Sequence, residues 1–349
     1  MHRITLIPGD GIGPEVTQSA REVVDAAGVD VTWDVVGAGM QTGRDEGAPL
    51  PASVFRSIAE SRLALKGPTQ TPFGDAYPVP VGDRVYPSVA IALRKELQLF
   101  VNVRPARNYP GIKSRFDHVD LVIFRENSED LYIGRERMVD ADTAEAVKVI
   151  TRQASERVAR FAFDYMRKTG RRKLSVIHKS NVLKLTDGLF LKTAQHVARE
   201  YPEFEVNQRV VDALCMELVI RPEAFDCLLL PNLYGDIVSD LAAGLVGGLG
   251  VVAGANIGEN GAVFEAVHGS APDIAGQNKA NPLAMLKSAV LMLQHIGEMG
   301  PAQRIEDAIV KVLDSGPEHR TRDIGGTGTT ADFTTAMCDT LRRGTRAGD

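Results

Sequence analysis

The chain has 349 residues, of which 44% are hydrophobic and 24% charged, which is typical of a soluble globular protein with room for two domains. Its formal net charge of −5 argues against a nucleic acid or a membrane surface as the main partner, so an anionic ligand needs a local group of basic residues. Cys215, Cys227 and Cys338 lack metal-ligand spacing and the N-terminus lacks signal character, which predicts a cytoplasmic, reducing location.

The first predicted elements are a buried strand, RITLIP (3–8), and a helix that starts near Pro14. Between them lies GDGIGPE (9–15), which raises the question of a dinucleotide-binding turn. The Rossmann fingerprint needs glycines at relative positions one, three and six. Gly9 and Gly11 satisfy the first two positions, but Pro14 occupies the sixth. The spacing therefore argues against a Rossmann turn, and a bound nucleotide must be held by another segment.

Strand-like and helix-like patterns alternate through most of the remaining sequence, which predicts an α/β fold. We find no internal repeat and no low-complexity segment. The further predicted strands are DLVIFREN (120–127), KLSVIHK (173–179) and FDCLLLPN (225–232), and the clearest amphipathic helices are 151–170 and 186–201.

Two stretches are expected to be irregular. Residues 66–87 are rich in proline and glycine and predict a long loop. Residues 244–282 are rich in glycine, with HGSAPDIAG (268–276) at their centre. Long loops within a compact domain are more often functional than neutral, so both stretches point to a site.

Asp236 and Asp240 stand four residues apart in NLYGDIVSD (232–240), where a strand gives way to a helix, and hence lie on one helical face. Two such carboxylates fit an oxygen-ligand site for Mg²⁺ or Mn²⁺. The alternative is a solvated helix face. The following sequence is too apolar for a freely exposed helix, which weakens that alternative without removing it.

Three arginines are candidates for an anion pocket. Arg94 lies on a predicted helix, Arg104 closes the next strand and Arg125 ends the strand DLVIFREN. Arginine forks grip carboxylates at two points, so together they suit a polyanionic substrate, whereas each alone suits a surface ion pair.

Tyr132 and Lys179 are the plausible proton-transfer groups, since a nearby cation would lower the pKa of a lysine at the end of a strand. His178, His268 and Cys215 are better explained as structural or cofactor-packing residues than as metal ligands, because no second soft ligand stands at a suitable spacing.

Seven further motifs follow GDGIGPE along the chain, namely KGPTQTP (66–72), LRKELQLFVNVRP (93–105), FRENSEDLY (124–132), HKSNVLKLTDGLF (178–190), NLYGDIVSDLAAGLVGGLG (232–250), GANIG (254–258) and HGSAPDIAG (268–276). Taken together, these motifs resemble the β-decarboxylating dehydrogenases, which include the isocitrate, homoisocitrate and 3-isopropylmalate dehydrogenases. The resemblance runs in order from about residue 4 to residue 335. In that family the dinucleotide is not held by a Rossmann turn, and GDGIGPE matches the family's own first strand-to-helix junction.

The resemblance implies a homodimer with shared active sites that oxidises and decarboxylates a 3-substituted malate, with NAD and with Mg²⁺ or Mn²⁺. It implies Asp236 and Asp240, with Asp212 from the other subunit, as metal ligands. Tyr132 would donate a proton, Lys179 of the partner would serve in acid–base steps, and the substrate would contact Ser88, Arg94, Arg104 and Arg125.

The resemblance also implies where the cofactor binds and how the chain divides. A large α/β domain is expected at 1–99 and 248–349, and a small one at 100–247, with an arm near 130–151 that interlocks the dimer. Asp273 is expected to accept hydrogen bonds from a ribose diol and to repel a 2′-phosphate, which selects NAD over NADP. The full set of expected cofactor residues is Thr71, Glu265, His268, Gly269, Ser270, Ala271, Asp273, Ile274 and Asn281.

The sequence departs from the isocitrate pattern near Ser88. Isocitrate enzymes usually carry serine, any residue and asparagine, whereas Ala90 stands third here, and the loop 71–86 is longer than usual. If Arg84 points inward, the distal group of the substrate is anionic, since a buried arginine without an anion is costly. Isocitrate ranks first, homoisocitrate or another malate with an anionic substituent second, and 3-isopropylmalate third. A non-catalytic regulatory subunit is the remaining alternative.

Overall fold

The computed structural model describes residues 1–70 and 77–346, and a mixed ten-stranded sheet forms its centre. The strands, including two separate hairpins, are β1 (His2–Ile7), β2 (Val31–Val35), β3 (Leu63–Lys66), β4 (Val79–Val81), β5 (Arg84–Tyr86), β6 (Leu99–Arg107), β7 (Asp120–Glu126), β8 (Glu136–Met138), β9 (Ala144–Ala146), β10 (Lys173–His178), β11 (Glu205–Val210), β12 (Cys227–Leu230), β13 (Ala253–Gly258) and β14 (Ala262–Ala266).

Helices cover the sheet. They are α1 (Gly13–Ala26), α2 (Met40–Glu46), α3 (Ala52–Ser61), α4 (Val89–Glu96), α5 (Arg152–Thr169), α6 (Thr186–Ala198), α7 (Val211–Ile220), α8 (Asn232–Val246), α9 (Leu283–His295), α10 (Met299–Ser315) and α11 (Thr330–Arg346).

The order of strands across the sheet is β11-β10-β12-β7-β6-β13-β14-β3-β1-β2. Pairing is parallel towards both ends, whereas β6 pairs antiparallel with β7 and with β13, and β13 pairs antiparallel with β14. This mixed order differs from the all-parallel Rossmann arrangement, and the predicted α/β class is confirmed. The β6–β13 pair lies between the strands of the two proposed domains, so we retain the division near residues 99 and 248 as a proposal.

The predicted helices follow the apolar pattern of the sequence. In α1, Val16, Ala20 and Val23 are fully buried, as their helical spacing predicts. Helix α5 ends at Gly170, whose φ of 73° is the left-handed conformation that glycine adopts without strain. The strands expected at 120–127, 173–179 and 225–232 appear as β7, β10 and β12.

The two stretches expected to be irregular contain strands, so that prediction was wrong in part. The hairpin β4–β5 lies within 66–87, and β13 and β14 lie within 244–282. Hydrogen bonds to β6 and β3 on either side hold β13 and β14 in the sheet. Such long-range pairing overrides the high local content of glycine, from which the sequence had predicted irregular structure.

The hairpin β8–β9 extends from the body of the protein, and residues 134–147 are exposed throughout. An isolated two-stranded hairpin is marginally stable in water, so this segment gains from a surface to pack on. Among the helices that the structure describes, none combines the length and the apolar composition needed to span a bilayer.

Candidate active site

Two of the three predicted arginines, Arg104 and Arg125, come together at the carboxylate of Asp236, while Arg94 pairs with Glu265 and acts on Asp236 only through its charge. Arg104 and Arg125 lie on the neighbouring strands β6 and β7, and Arg104 stands within β6 rather than at its end. Arg125 donates a hydrogen bond to Asp236 Oδ1, and Arg104 Nη2 lies 3.6 Å from the same oxygen. Asn232 Oδ1, which accepts from Arg125 Nε at 2.9 Å, fixes the orientation of this guanidinium.

The cluster changes the ionisation of its members. Burial, reinforced by Arg94 and Arg104, lowers the pKa of Arg125 to about 10. Burial acts to raise the pKa of Asp236, but Arg125, the Tyr132 hydroxyl and Arg104 outweigh it and leave the pKa below its usual value. Positive charge is therefore concentrated beside Asp236, as an anionic substrate requires.

Tyr132 lies in the same group. Its hydroxyl donates to Asp236 Oδ2 at 2.5 Å, and the Arg125 guanidinium lies 4.9 Å from the centre of its ring. Burial and the bond to Asp236 raise the pKa of Tyr132, which keeps the phenol protonated. A protonated hydroxyl at the edge of an anion site is suited to donate a proton.

A cavity of 230 Å³ adjoins this cluster, with Glu265 as its central acid. Lys66 Nζ lies 2.7 Å from Glu265 Oε2, Arg94 Nη2 lies 3.4 Å from Oε1, and Asn256 Nδ2 donates to Oε1 at 2.8 Å. Burial opposes ionisation, but Lys66 and Arg94 overcome it and lower the pKa of Glu265 to about 2. The cavity thus has a permanently charged wall.

Lys66 and Asn256 were not predicted as site residues. Both stand inside quoted motifs, KGPTQTP and GANIG, but neither is part of a local pattern that suggests chemistry. Their importance depends on the sheet, which places β3, β13 and β14 side by side. Only knowledge of that strand order would have identified them.

Asp236 and Asp240 share one face of α8, as predicted, and their oxygen donors fit Mg²⁺ or Mn²⁺. Burial raises the pKa of Asp240, which Arg104 partly offsets from 3.3 Å. Within residues 1–70 and 77–346, no three His, Cys, Asp or Glu side chains of one chain gather as a metal site.

Lys179 and Asp212 form a separate ion pair. Lys179 follows β10 and Asp212 lies in the first turn of α7. The side chain of Lys179 is 28% exposed and that of Asp212 is 67% exposed. The segments that carry the pair also carry exposed apolar residues, namely Val182 and Leu185 after Lys179, and Met216 and Ile220 in α7. Exposed apolar patches mark interaction sites, so these two segments are candidates for an interface with another molecule.

Most of the predicted cofactor residues lie between His268 and Asn281, after the end of β14. His268 and Gly269 line the cavity beside Glu265. Asn281 Nδ2 donates to Asp323 Oδ2 at 2.9 Å, so Asp323 is a neighbour that the sequence did not single out. Asp273 is exposed in a short 3₁₀ helix with Ile274, next to Ala271 and the buried Ser270. Thr71 lies outside the described residues.

The GDGIGPE turn braces the loops beside this cavity. Asp10 N donates to Pro68 O at 2.7 Å, and Ile12 N donates to Ser270 O at 2.9 Å. Gly11 has a φ of 60°, and a Cβ there would lie only 1.9 Å from Ser270 O. The glycines therefore permit close contact with protein backbone, which answers the question that the motif raised.

The structure does not bring Arg84 into the cavity. Arg84 lies in the hairpin β4–β5, its side chain is 71% exposed, and its Nη1 lies 3.3 Å from Glu96 Oε1. The exposed pair satisfies the charge of Arg84 outside the site. Ser88 caps α4 by accepting from Ile91 N at 3.2 Å, while Ala90 lines the cavity.

Comparison with known proteins shows what the chain resembles. The family model described as isocitrate/isopropylmalate dehydrogenase matches residues 3–340. The isocitrate dehydrogenase [NAD] catalytic subunit 6, mitochondrial, of Arabidopsis thaliana is 48% identical over 97% of this chain and 88% of that protein. The 3-isopropylmalate dehydrogenase, chloroplastic, of Solanum tuberosum is also 48% identical, over 90% of this chain and 86% of that protein. A crystal structure of isocitrate dehydrogenase from Methylococcus capsulatus superposes with a TM-score of 0.92 at 47% identity, covering 98% of this chain and 100% of that one.

Proposed function

This chain belongs to the isocitrate/isopropylmalate dehydrogenase family, and we propose that it oxidises and decarboxylates a 3-substituted malate, with isocitrate as the first candidate. The observation that carries the proposal is the convergence of Arg104, Arg125 and Tyr132 on Asp236 beside the cavity. This arrangement combines an anion pocket, a proton donor and a hard-cation ligand within one site.

The residues suggest a division of labour. Arg94, Arg104 and Arg125 bind the carboxylates of the malate core and orient it. When bound, NAD supplies the hydride acceptor, and a divalent cation held by Asp236 and Asp240 supplies a Lewis acid for the substrate oxygen. Tyr132 donates a proton to the carbon that loses CO₂, and Lys179 of a second chain takes part in acid–base steps.

The distal group of the substrate is the finer part of the proposal. An isocitrate and an isopropylmalate enzyme are equally similar to this chain, at 48% identity, so overall similarity does not separate their substrates. The exposed position of Arg84 removes the argument that this residue binds a distal carboxylate. Isocitrate stays first in the proposal because several of the similar relatives are NAD isocitrate dehydrogenase subunits, and homoisocitrate stays second.

We propose NAD as the cofactor. Asp273 is exposed at the loop expected to hold the ribose, where its carboxylate suits a diol and repels a phosphate. We also propose a homodimer with shared sites, because Lys179 and Asp212 pair with each other rather than with Asp236, and their segments carry exposed apolar residues. Three free cysteines, Cys215, Cys227 and Cys338, suit the reducing, cytoplasmic location that we expect.

Initial rates with isocitrate, homoisocitrate and 3-isopropylmalate, each with NAD and with NADP, test this proposal. We expect the highest kcat/KM with isocitrate and NAD, and we expect Arg84→Ala to leave the ranking unchanged. A preference for 3-isopropylmalate would overturn the proposed substrate, and equal use of NADP would overturn the proposed role of Asp273. A regulatory subunit would be inactive alone with every pair.

A further inference from the structure

Lys148 is a partly buried cation at the point where the chain returns from the arm, which we define as residues 134–147. Its Nζ lies 2.7 Å from Asp187 Oδ1 and 3.6 Å from Asp130 Oδ1. Both aspartates are fully buried. Two buried carboxylates close together need a cation between them, so Lys148 holds the two segments in place.

Asp130 fixes the segments on either side of Asp236. Its Oδ1 accepts from Leu131 N at 2.9 Å, and its Oδ2 accepts from Leu233 N at 2.9 Å. Leu131 directly precedes Tyr132, and Leu233 lies in the first turn of α8, three residues before Asp236. Asp130 has a φ of 71°, which a residue other than glycine rarely adopts without a local reason.

Asp187 fixes the other proton-transfer segment. Its Oδ2 accepts from the backbone N–H of Lys179 at 2.7 Å. Lys148 Nζ also lies 4.3 Å from the centre of the Tyr234 ring, a cation–π contact with the first turn of α8. Lys148 is therefore linked through a single side chain, Asp130 or Asp187, to the backbone beside Tyr132, Lys179 and Asp236.

The arm is joined to this network at its base. Val147 N donates to Arg135 O at 2.9 Å, and Asp130 N donates to Val149 O at 2.9 Å. Lys148 stands between these two backbone contacts. A short path of contacts therefore joins the arm to Asp130 and Asp187.

We propose that Lys148 is a positioning residue that couples the arm to the proton-transfer groups of two active sites. The inference rests on the proposed function for the roles of Tyr132 and Lys179. In the proposed dimer, Tyr132 serves the site of its own chain and Lys179 serves the site of the partner. Lys148 of one chain then aligns a proton-transfer group in each of the two sites, and docking of the arm orders both groups.

Hydrogen exchange of Lys148→Met tests the coupling without any turnover. Methionine keeps the length of the side chain and removes its charge. We expect peptides that contain Leu131, Lys179 and Leu233 to lose about tenfold in protection together, while peptides from α9 and α11 do not change. Lys173→Met is the matched control, since Lys173 pairs with Glu205 at the surface, 3.2 Å away.

Asp187→Ala separates the two branches of the network. It removes the acceptor of Lys179 N and a partner of Lys148 and Tyr234, but leaves Asp130 with its own backbone donors, so the Lys179 peptide should lose more protection than the Leu131 peptide. Unchanged exchange in Lys148→Met, or equal loss in every peptide including α9 and α11, would overturn the proposal.

Kinetics give a second readout. Lys148→Met should lower kcat by about 30-fold or more, because misaligned proton donors slow the chemical step, with the KM for NAD changed less than about threefold. Lys148→Arg should recover part of kcat. A rise in KM alone would contradict a positioning role. If the parent protein turns over none of the acids, the proposed function fails, and the exchange experiment still decides the role of Lys148.

Discussion

Asp236 is the residue on which the site converges, since Arg125, Arg104 and Tyr132 all contact its carboxylate. Asp236→Asn keeps an oxygen for Tyr132 but removes the charge that a hard cation requires. We expect turnover to fall by about 10³-fold, because both cation binding and arginine alignment are impaired. Steady-state rates across a Mg²⁺ titration measure the loss.

Asp314→Asn is the matched control for this change, because Asp314 is exposed in α10. It should retain the parent rate. Full activity of Asp236→Asn, or activity of the parent in excess chelator, would contradict the assigned role of the carboxylate.

Glu129 gives the protein a pH-dependent stability. Burial, with Glu126 and Asp130 nearby, raises its pKa to about 7, although Thr151 N and Oγ1 donate to it at 2.8 Å. Glu126 and Glu129 also act to raise the pKa of Lys95, but burial outweighs them and lowers it. The folded state disfavours the charged form of Glu129. The stability that Glu129 contributes is therefore full below the unfolded pKa of about 4.3 and is lost as pH rises through about 7.

Glu129→Gln removes this titration. Urea unfolding at fixed protein concentration, from pH 5 to pH 8, should show that the parent loses up to about 3 kcal/mol more than the variant. Glu46→Gln, at an exposed position in α2, serves as the control and should follow the parent. Parallel curves for Glu129→Gln and the parent would show that Glu129 is ionised in the folded protein throughout this range.

At the scale of the element, the GDGIGPE turn is the clearest case of a motif with a structural purpose. Gly11→Ala would place a Cβ 1.9 Å from Ser270 O and force the loop 268–271 away from the turn. We therefore expect the KM for NAD to rise by about tenfold or more, with a smaller effect on kcat. Kinetics with NAD as the varied substrate measure the two parameters.

Gly28→Ala separates local strain from this contact. Gly28 has a φ of 75°, but a Cβ there would meet nothing within 4 Å. Both substitutions place alanine in a left-handed backbone conformation at a similar cost, so only Gly11→Ala should weaken the binding of NAD. Equal effects on the KM for NAD would mean that the turn does not position the cofactor loop.

The elements also show what the sequence could predict. Apolar periodicity located α1, α5, β7 and β10, because the signal lies within one segment. It missed β13 and β14, whose hydrogen bonds come from strands more than 100 residues away in β6 and β3. Arg104 and Arg125 were recognised by charge at strand ends, whereas Lys66 and Asn256 depend on the neighbours that the sheet gives them.

For the whole molecule, the proposed dimer makes a prediction that a monomer cannot satisfy. Tyr132→Phe and Lys179→Met should each inactivate the homodimer. In a mixed dimer, however, one site combines intact Tyr132 with the partner's intact Lys179. We expect co-expressed, doubly tagged dimers to recover up to about half of the parent activity, because one of two sites is complete. Mixed dimers as inactive as the two variant homodimers would refute shared sites.

We propose that this chain alone couples oxidation of a malate-type acid to loss of CO₂. The most direct test incubates the purified protein with isocitrate, NAD and Mg²⁺, and measures NADH, CO₂ and 2-oxo acid in the same sample. The structure predicts equal amounts of all three products, formed only when the cation is present. NADH without CO₂, or no NADH with isocitrate, homoisocitrate or 3-isopropylmalate, would contradict it.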